Sequence, residues 1–195
     1  MDERIKKQLE FILTIDQVKN IMRQTHLSYN ERKENDAEHS WHLAIMAYLL
    51  KEYANEEVDA CKVMIMCLIH DVVEVYAGDT YCYDEVGKQS QKQREDEAKE
   101  KIFSLLPIDQ YKEFIALFDE FEENKTPEAR FAHVLDRLQP LLLNHSNEGR
   151  DWKEHDIKAS QVYQRQSQTH LGSIQLSEII KSIIQENIDK GNLKE

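Results

Sequence analysis

Residues Val63 to Glu74 read VMIMCLIHDVVE, so the most apolar run in the chain ends on an adjacent histidine and aspartate. Such a run belongs inside a core, where an ionised side chain without a partner is very costly. The fold must therefore bring His70 and Asp71 to opposite charges or to a metal. Two further apolar segments set the same demand: Trp41–Leu50 is led by His39 and carries His42, and Phe131–Leu143 carries Asp136. One buried pair is met by a hydrogen bond. Three apolar helices each offering such a group point to one shared site.

Only 5 glycines and 3 prolines occur in 195 residues, which leaves little material for a turn-rich β fold. Apolar residues recur at spacings of three and four, so the expectation is an all-α chain forming one domain over residues 1–195. A first helix is expected from about Ile5 to Met22. Asn35 followed by Glu38 resembles a capping box that opens a second helix through WHLAIMAYLL. A third is expected from Glu57 to Tyr76, stopped at Gly78. A charged helix near Arg94 to Leu105 follows, Pro107 restarts the chain, and Thr126-Pro127 opens the helix carrying Asp136. Pro140 crowds the carbonyl of Asp136 and predicts a kink or a helix end there. The C-terminal helices, over residues 154–188, carry Ile179, Ile180, Ile183 and Ile184 on one stripe, which docks on the core or on a partner subunit; a homodimer is one expectation.

The net charge of −12 opposes broad attraction to nucleic-acid polymers or anionic membranes. The start, MDERIKKQLE, has no signal-like apolar core, and no apolar run reaches the roughly 20 residues that span a bilayer. Three cysteines (Cys61, Cys67, Cys82), two of them in apolar helix, suit the reducing cytoplasm.

Imidazoles and carboxylates on three buried helices form a mixed nitrogen and oxygen set, which suits one divalent ion: Mn²⁺, Co²⁺, Fe²⁺, Ni²⁺ or Mg²⁺. The absence of a thiolate motif argues against structural zinc. Glu74 lies four residues after His70 and three after Asp71, one turn along the same expected helix face. A carboxylate there can orient or deprotonate an attacking water.

The pattern His39, His70-Asp71, Asp136 resembles the HD superfamily of metal-dependent phosphohydrolases. The flanks RKENDAEH (Arg32 to His39), HDVVEVYAGD (His70 to Asp79) and LDRLQP (Leu135 to Pro140) are similar to the branch of 5′-deoxynucleotidases and HD-domain-containing nucleotidases, with core motifs over residues 23–140. The resemblance implies an all-α HD fold and one metal held by His39, His70, Asp71 and Asp136. It also implies hydrolysis of nucleoside 5′-monophosphates by metal-activated water. By the same resemblance Glu74 is the catalytic carboxylate, and Asp79 is a second catalytic candidate that lies at the substrate near the sugar or the reacting phosphate. Arg23, at the position of an arginine preceding the first ligand, is expected to bind the substrate phosphate. The tryptophan that often accompanies that arginine is absent, and His26 or Tyr29 fills its space.

Arg32 and Lys33 are expected either at the phosphate or as an exposed basic pair. Arg137 is either a phosphate ligand or a salt-bridge partner. His42 and His133 are expected to pack rather than to ligate. A deoxynucleoside triphosphohydrolase and a non-catalytic helical protein that binds a nucleotide or metal are the competing readings.

Overall fold

The computed structural model describes residues 2–29 and 31–195. Helix α1 (Glu3–Ile15) is capped by Asp2, whose side chain accepts from the Arg4 N–H at 3.1 Å. It does not continue to Met22. A 3₁₀ turn over Asp16–Asn20 leads into β1 (Met22–His26), which pairs antiparallel with β2 (Lys33–Asn35) across a bulge. Tertiary partners explain the departure from a helix: the extended chain sends Arg23 to Asp71 and His26 to Asp151.

Helix α2 (Asp36–Leu50) opens on the expected capping box. Asn35 Oδ1 accepts the Glu38 N–H at 2.9 Å, and Glu38 Oε2 accepts the Asn35 N–H at 3.1 Å. Helix α3 (Ala60–Ile69) begins after Asp59, not at Glu57, and stops at Ile69, not Tyr76. Over the next four residues the backbone tightens, with Val72 bonding Ile69 and Glu74 bonding Asp71, three residues back rather than four. The helix resumes as α4 (Glu74–Ala77) and ends at Gly78, whose φ of 75° is the conformation glycine adopts at least cost.

Helix α5 (Lys88–Phe103) starts six residues before the expected Arg94, and α6 (Ile108–Glu123) follows Pro107. Helix α7 (Pro127–Ser146) is capped by Thr126, as expected. It runs through Pro140, so no helix end falls beside Asp136. Leu138, Leu141 and Leu143 are all buried, and core packing on both sides of the proline outweighs the one bond that Pro140 denies the Asp136 carbonyl. Helices α8 (Arg150–Glu154), α9 (Ala159–Arg165) and α10 (Ile174–Asp189) complete the chain.

The helices pack around two apolar clusters. In the first, α2, α3, α7 and α10 bury Leu43, Met66, Phe131, Leu135, Ile180 and Ile184 completely. Each such side chain contributes about 1.5–3 kcal/mol. The second joins α1, α5 and α6 through Phe11, Ile102, Phe103 and Phe118, and takes in Ile69, Val72 and Val73. Met66 and Cys67 thus belong to one cluster and Val72 and Val73 to the other. The tight turn at His70–Val73 is where the chain crosses between them, leaving His70 and Asp71 at the seam. Among the described residues no helix is long and apolar enough to cross a membrane.

Candidate metal centre and its cavity

At the seam, α2 delivers His39, the turn delivers His70 and Asp71, and α7 delivers Asp136; all four are buried. His39 Nε2 lies 3.3 Å from Asp136 Oδ1 and 4.0 Å from Asp71 Oδ2. His70 Nε2 lies 3.1 Å from Asp71 Oδ1 and 3.8 Å from Asp136 Oδ1. Donors around a cation held at about 2.1 Å stand roughly 3 to 4 Å apart, so the separations fit a single ion.

The imidazoles are already oriented for ligation. His70 Nδ1 meets the Cys67 carbonyl at 2.9 Å, and His39 Nδ1 meets Gln139 Oε1 at 3.0 Å. Gln139 is itself fixed, because its Nε2 donates to Glu34 Oε2 at 2.8 Å and approaches His42 Nδ1 at 3.2 Å. Both Nδ1 atoms therefore act as donors; His39 Nε2 in turn donates to Asp136 Oδ1, and an ion taking the place of that proton would meet the lone pair of each Nε2. His70 Nε2 is buried and, although 3.1 Å from Asp71 Oδ1, is not aligned for a hydrogen bond with it, a placement that fits two donors turned toward one ion. His39, His70 and Asp136 alone already form a group able to hold a metal ion.

Charge follows the same plan. Burial alone would raise Asp71, but His70 and Arg23 hold it well below the usual carboxylate range. Asp136 is likewise held low against burial, by the hydrogen bond from His39 and the charge of Arg165. Glu74 shows the opposite response: burial, then the charges of Asp71 and Asp36, push it well above its ordinary value. Burial and Asp71 push its neighbour Asp36 up to about 6, while a hydrogen bond with Glu74 and the charge of Arg23 act against the rise. One group of acids stays ionised at the donors, and beside it a carboxyl readily holds a proton.

The donors open on a cavity of about 280 Å³, lined among others by Arg23, Glu74, Asp79, Tyr83, Arg137 and Arg165. Glu74 and Asp79 thus share it with His70, Asp71 and Asp136. Burial raises Asp79 above its ordinary value. Arg23 reaches the cavity but is committed to acids: Nη1 donates to Asp71 Oδ2 at 2.8 Å and to Asp36 Oδ1 at 3.2 Å, and Nε lies 3.6 Å from Glu34 Oε1.

Arg32 does not line the cavity. It forks onto Glu38 at 2.8 and 2.9 Å on the exposed start of α2, so the expectation of Arg32 at the phosphate is corrected. Lys33 points to Gln24 instead. His26 is tied to Asp151 through both its N–H and its ring, at 3.0 and 2.5 Å, and Tyr29 is 88% exposed. His42 stands behind Gln139, outside the donor group. His133 stacks on Phe121 with ring centres 4.2 Å apart and meets its carbonyl, and burial pushes the imidazole down to about 4. Glu34, Asp36, Gln139 and Arg165 were not assigned a part by the sequence. Glu34 and Gln139 stand inside the quoted motifs; Arg165 has no local signal.

The HD domain family matches residues 15–176, and the chain belongs to it. A human relative named 5′-deoxynucleotidase HDDC2 is 30% identical over 135 residues, covering 69% of this chain and 65% of that protein. The Xenopus laevis protein of the same name is 31% identical over 139 residues, 70% of this chain and 67% of its own length. The match therefore spans a little under two thirds of the human relative. A crystal structure from Magnetospirillum magnetotacticum MS-1, described as a predicted metal-dependent phosphohydrolase, is 44% identical with a TM-score of 0.94, covering 98% of this chain and 96% of that one. An HD-domain phosphohydrolase from Listeria innocua shares the fold at 16% identity and a TM-score of 0.66, covering 95% of this chain and 91% of its own.

Proposed function

We propose that the chain is a metal-dependent phosphohydrolase that removes the 5′-phosphate from (deoxy)nucleoside monophosphates. The observation that carries this reading is the convergence of four donor side chains, one with an unpartnered buried Nε2, beside a protonatable Glu74 in a ligand-sized cavity. The names of the relatives support the substrate class.

His39, His70, Asp71 and Asp136 would hold one divalent ion, of the Mn²⁺, Co²⁺, Fe²⁺, Ni²⁺ or Mg²⁺ kind. When bound, the ion supplies Lewis-acid polarisation of a phosphoryl oxygen and acidifies a coordinated water. Ionised Glu74 takes the proton from the attacking water as its oxygen bonds to phosphorus and the bond from phosphorus to the nucleoside 5′-oxygen breaks. The proton then passes to that departing oxygen, and Asp36 holds the Glu74 carboxyl in place. Arg23 fixes Asp71 rather than the phosphate. Asp79 faces the cavity and accepts a hydrogen bond from a sugar hydroxyl.

A cytoplasmic location is in keeping with the free cysteines. We also propose a homodimer, but not through the isoleucine stripe, since α10 commits Ile180 and Ile184 to the core. The available face is α2, where Trp41, Ile45, Tyr48 and Leu49 are exposed at one-turn spacings.

Phosphate release from a panel of deoxy- and ribonucleoside 5′-monophosphates, with Mn²⁺, Co²⁺ or Mg²⁺, tests the reading. Asp71→Ala is expected to lose metal and turnover, and Glu74→Ala to keep metal and lose at least about a hundredfold in rate. Metal retention by wild type with no release from any monophosphate would exclude the nucleotidase reading and favour a binding protein.

A further inference from the structure

A phosphate monoester brings about two negative charges into a cavity that already holds Glu74, Asp79 and the ligand carboxylates. Some cation must face it. Of the cavity arginines, Arg23 directs Nη1 to Asp71 and Asp36 and lies 3.6 Å from Glu34 through Nε, so its charge faces three acids. Lys88 is paired with Glu85 at 2.8 Å. Two cations remain, both on the α7–α9 wall. Arg137 lines the cavity, its Nε is buried with no hydrogen-bond partner, and among the described residues no carboxylate pairs with it. Arg165 lines the same wall and donates through Nη2 to Asp136 Oδ2 at 3.0 Å.

Their placement is built rather than incidental. Gln166, next to Arg165, donates from Nε2 to the Arg137 carbonyl at 2.9 Å and so locks α9 to α7 beside Asp136. Asp136 turns Oδ1 toward His39 and Oδ2 toward Arg165. The guanidinium of Arg165 is therefore one carboxylate width from the donor centre, within reach of a phosphoryl group seated there. A guanidinium has five N–H donors, so Arg165 can keep Asp136 and still meet an incoming oxygen.

We propose that Arg137 and Arg165 together form the anion subsite that takes the non-bridging oxygens of the substrate phosphoryl group. This shares out the task expected of Arg23 and Arg32: Arg32 is not among the cavity's lining residues, and Arg23 contacts three acids where Arg165 contacts one. The inference rests on the phosphohydrolase reading for its substrate, but the site itself binds any small phosphate.

Calorimetric titration of the metal-loaded protein with inorganic phosphate tests the site without turnover. Arg137→Gln is expected to weaken phosphate binding by about tenfold with metal content and thermal midpoint unchanged. Arg165→Gln should weaken it at least as much, and Arg165→Lys should recover part of the loss. The KM for a nucleoside monophosphate should rise with each loss. Wild-type phosphate affinity in a folded, metal-loaded Arg137→Gln protein overturns the proposal, whatever Arg165→Gln does through Asp136. If phosphate binding depends on both arginines while no nucleotide is hydrolysed, the subsite stands and the nucleotidase reading falls.

Discussion

Glu74 and Asp36 are two acids held within hydrogen-bonding reach of each other and in the field of a buried, ionised Asp71. Crowding of like charge in a poorly solvated place makes Glu74 prefer its proton, and a base works only when the proton is gone. The rate should therefore fall on the acid side, and the fall should begin above the ordinary glutamate range. Asp36→Asn removes one of the charges that raise Glu74, so the acid limb of kcat/KM should move to lower pH. A bound cation lowers Glu74 in both proteins, which makes the displacement between them the diagnostic quantity. An acid limb that stays in place would remove Asp36 from the account. The convergence of the candidate ligands was legible because a histidine and an aspartate inside an apolar helix must meet a charge or a metal. Gln139 was not: a neutral amide in a core carries no signal until Glu34 and His39 are seen on its two ends.

Local chemistry decided which elements could be read in advance. The starts of α2 and α7 were legible because a cap is written in three or four consecutive residues, and Gly78 marked the end of α4 for the same reason. The strand pair was not, since MRQTH and KEN are short and polar and are held extended by Asp71 and Asp151, far along the chain. Nor was the break at His70, because the apolar spacing runs on through VVEVYA while the backbone changes its bonding. The cap on α2 also positions the site, as His39 follows one turn behind Asn35. Asn35→Ala should cost about 1 kcal/mol, lowering the thermal midpoint by roughly 2–4 °C. Thermal unfolding at fixed metal concentration measures it, and an unchanged midpoint would mean that the fork of Arg32 on Glu38 holds the helix start by itself.

Across the whole molecule, two apolar clusters share one seam, and the candidate site is the content of that seam. The all-α class and the helix order were legible from spacing, but the contribution of the C-terminal third was not. Arg165 and Gln166 reach back 29 residues to α7, and nothing in the sequence near them announces it. The same helices bury Ile180 and Ile184 of the isoleucine stripe while Ile179 stays exposed, and the proposed subunit contact is therefore assigned to the exposed face of α2. Light scattering on the purified protein should give twice the chain mass, and Trp41→Glu with Leu49→Lys should return the monomer with phosphate release intact. A wild-type monomer at micromolar concentration would rule the α2 contact out.

The same arrangement has a consequence in time. Synthesis delivers His39 first, then His70 and Asp71, then Asp136, and Arg165 later still. Until α7 has emerged, VMIMCLI has α2 to pack on but lacks α7 and a complete set of donors, so the greasiest segment of the chain stays partly uncovered while further helices are made. Capture of an ion by these four donors would thus be one of the last events of assembly, and a loaded centre would certify that the helices bearing them have already arrived.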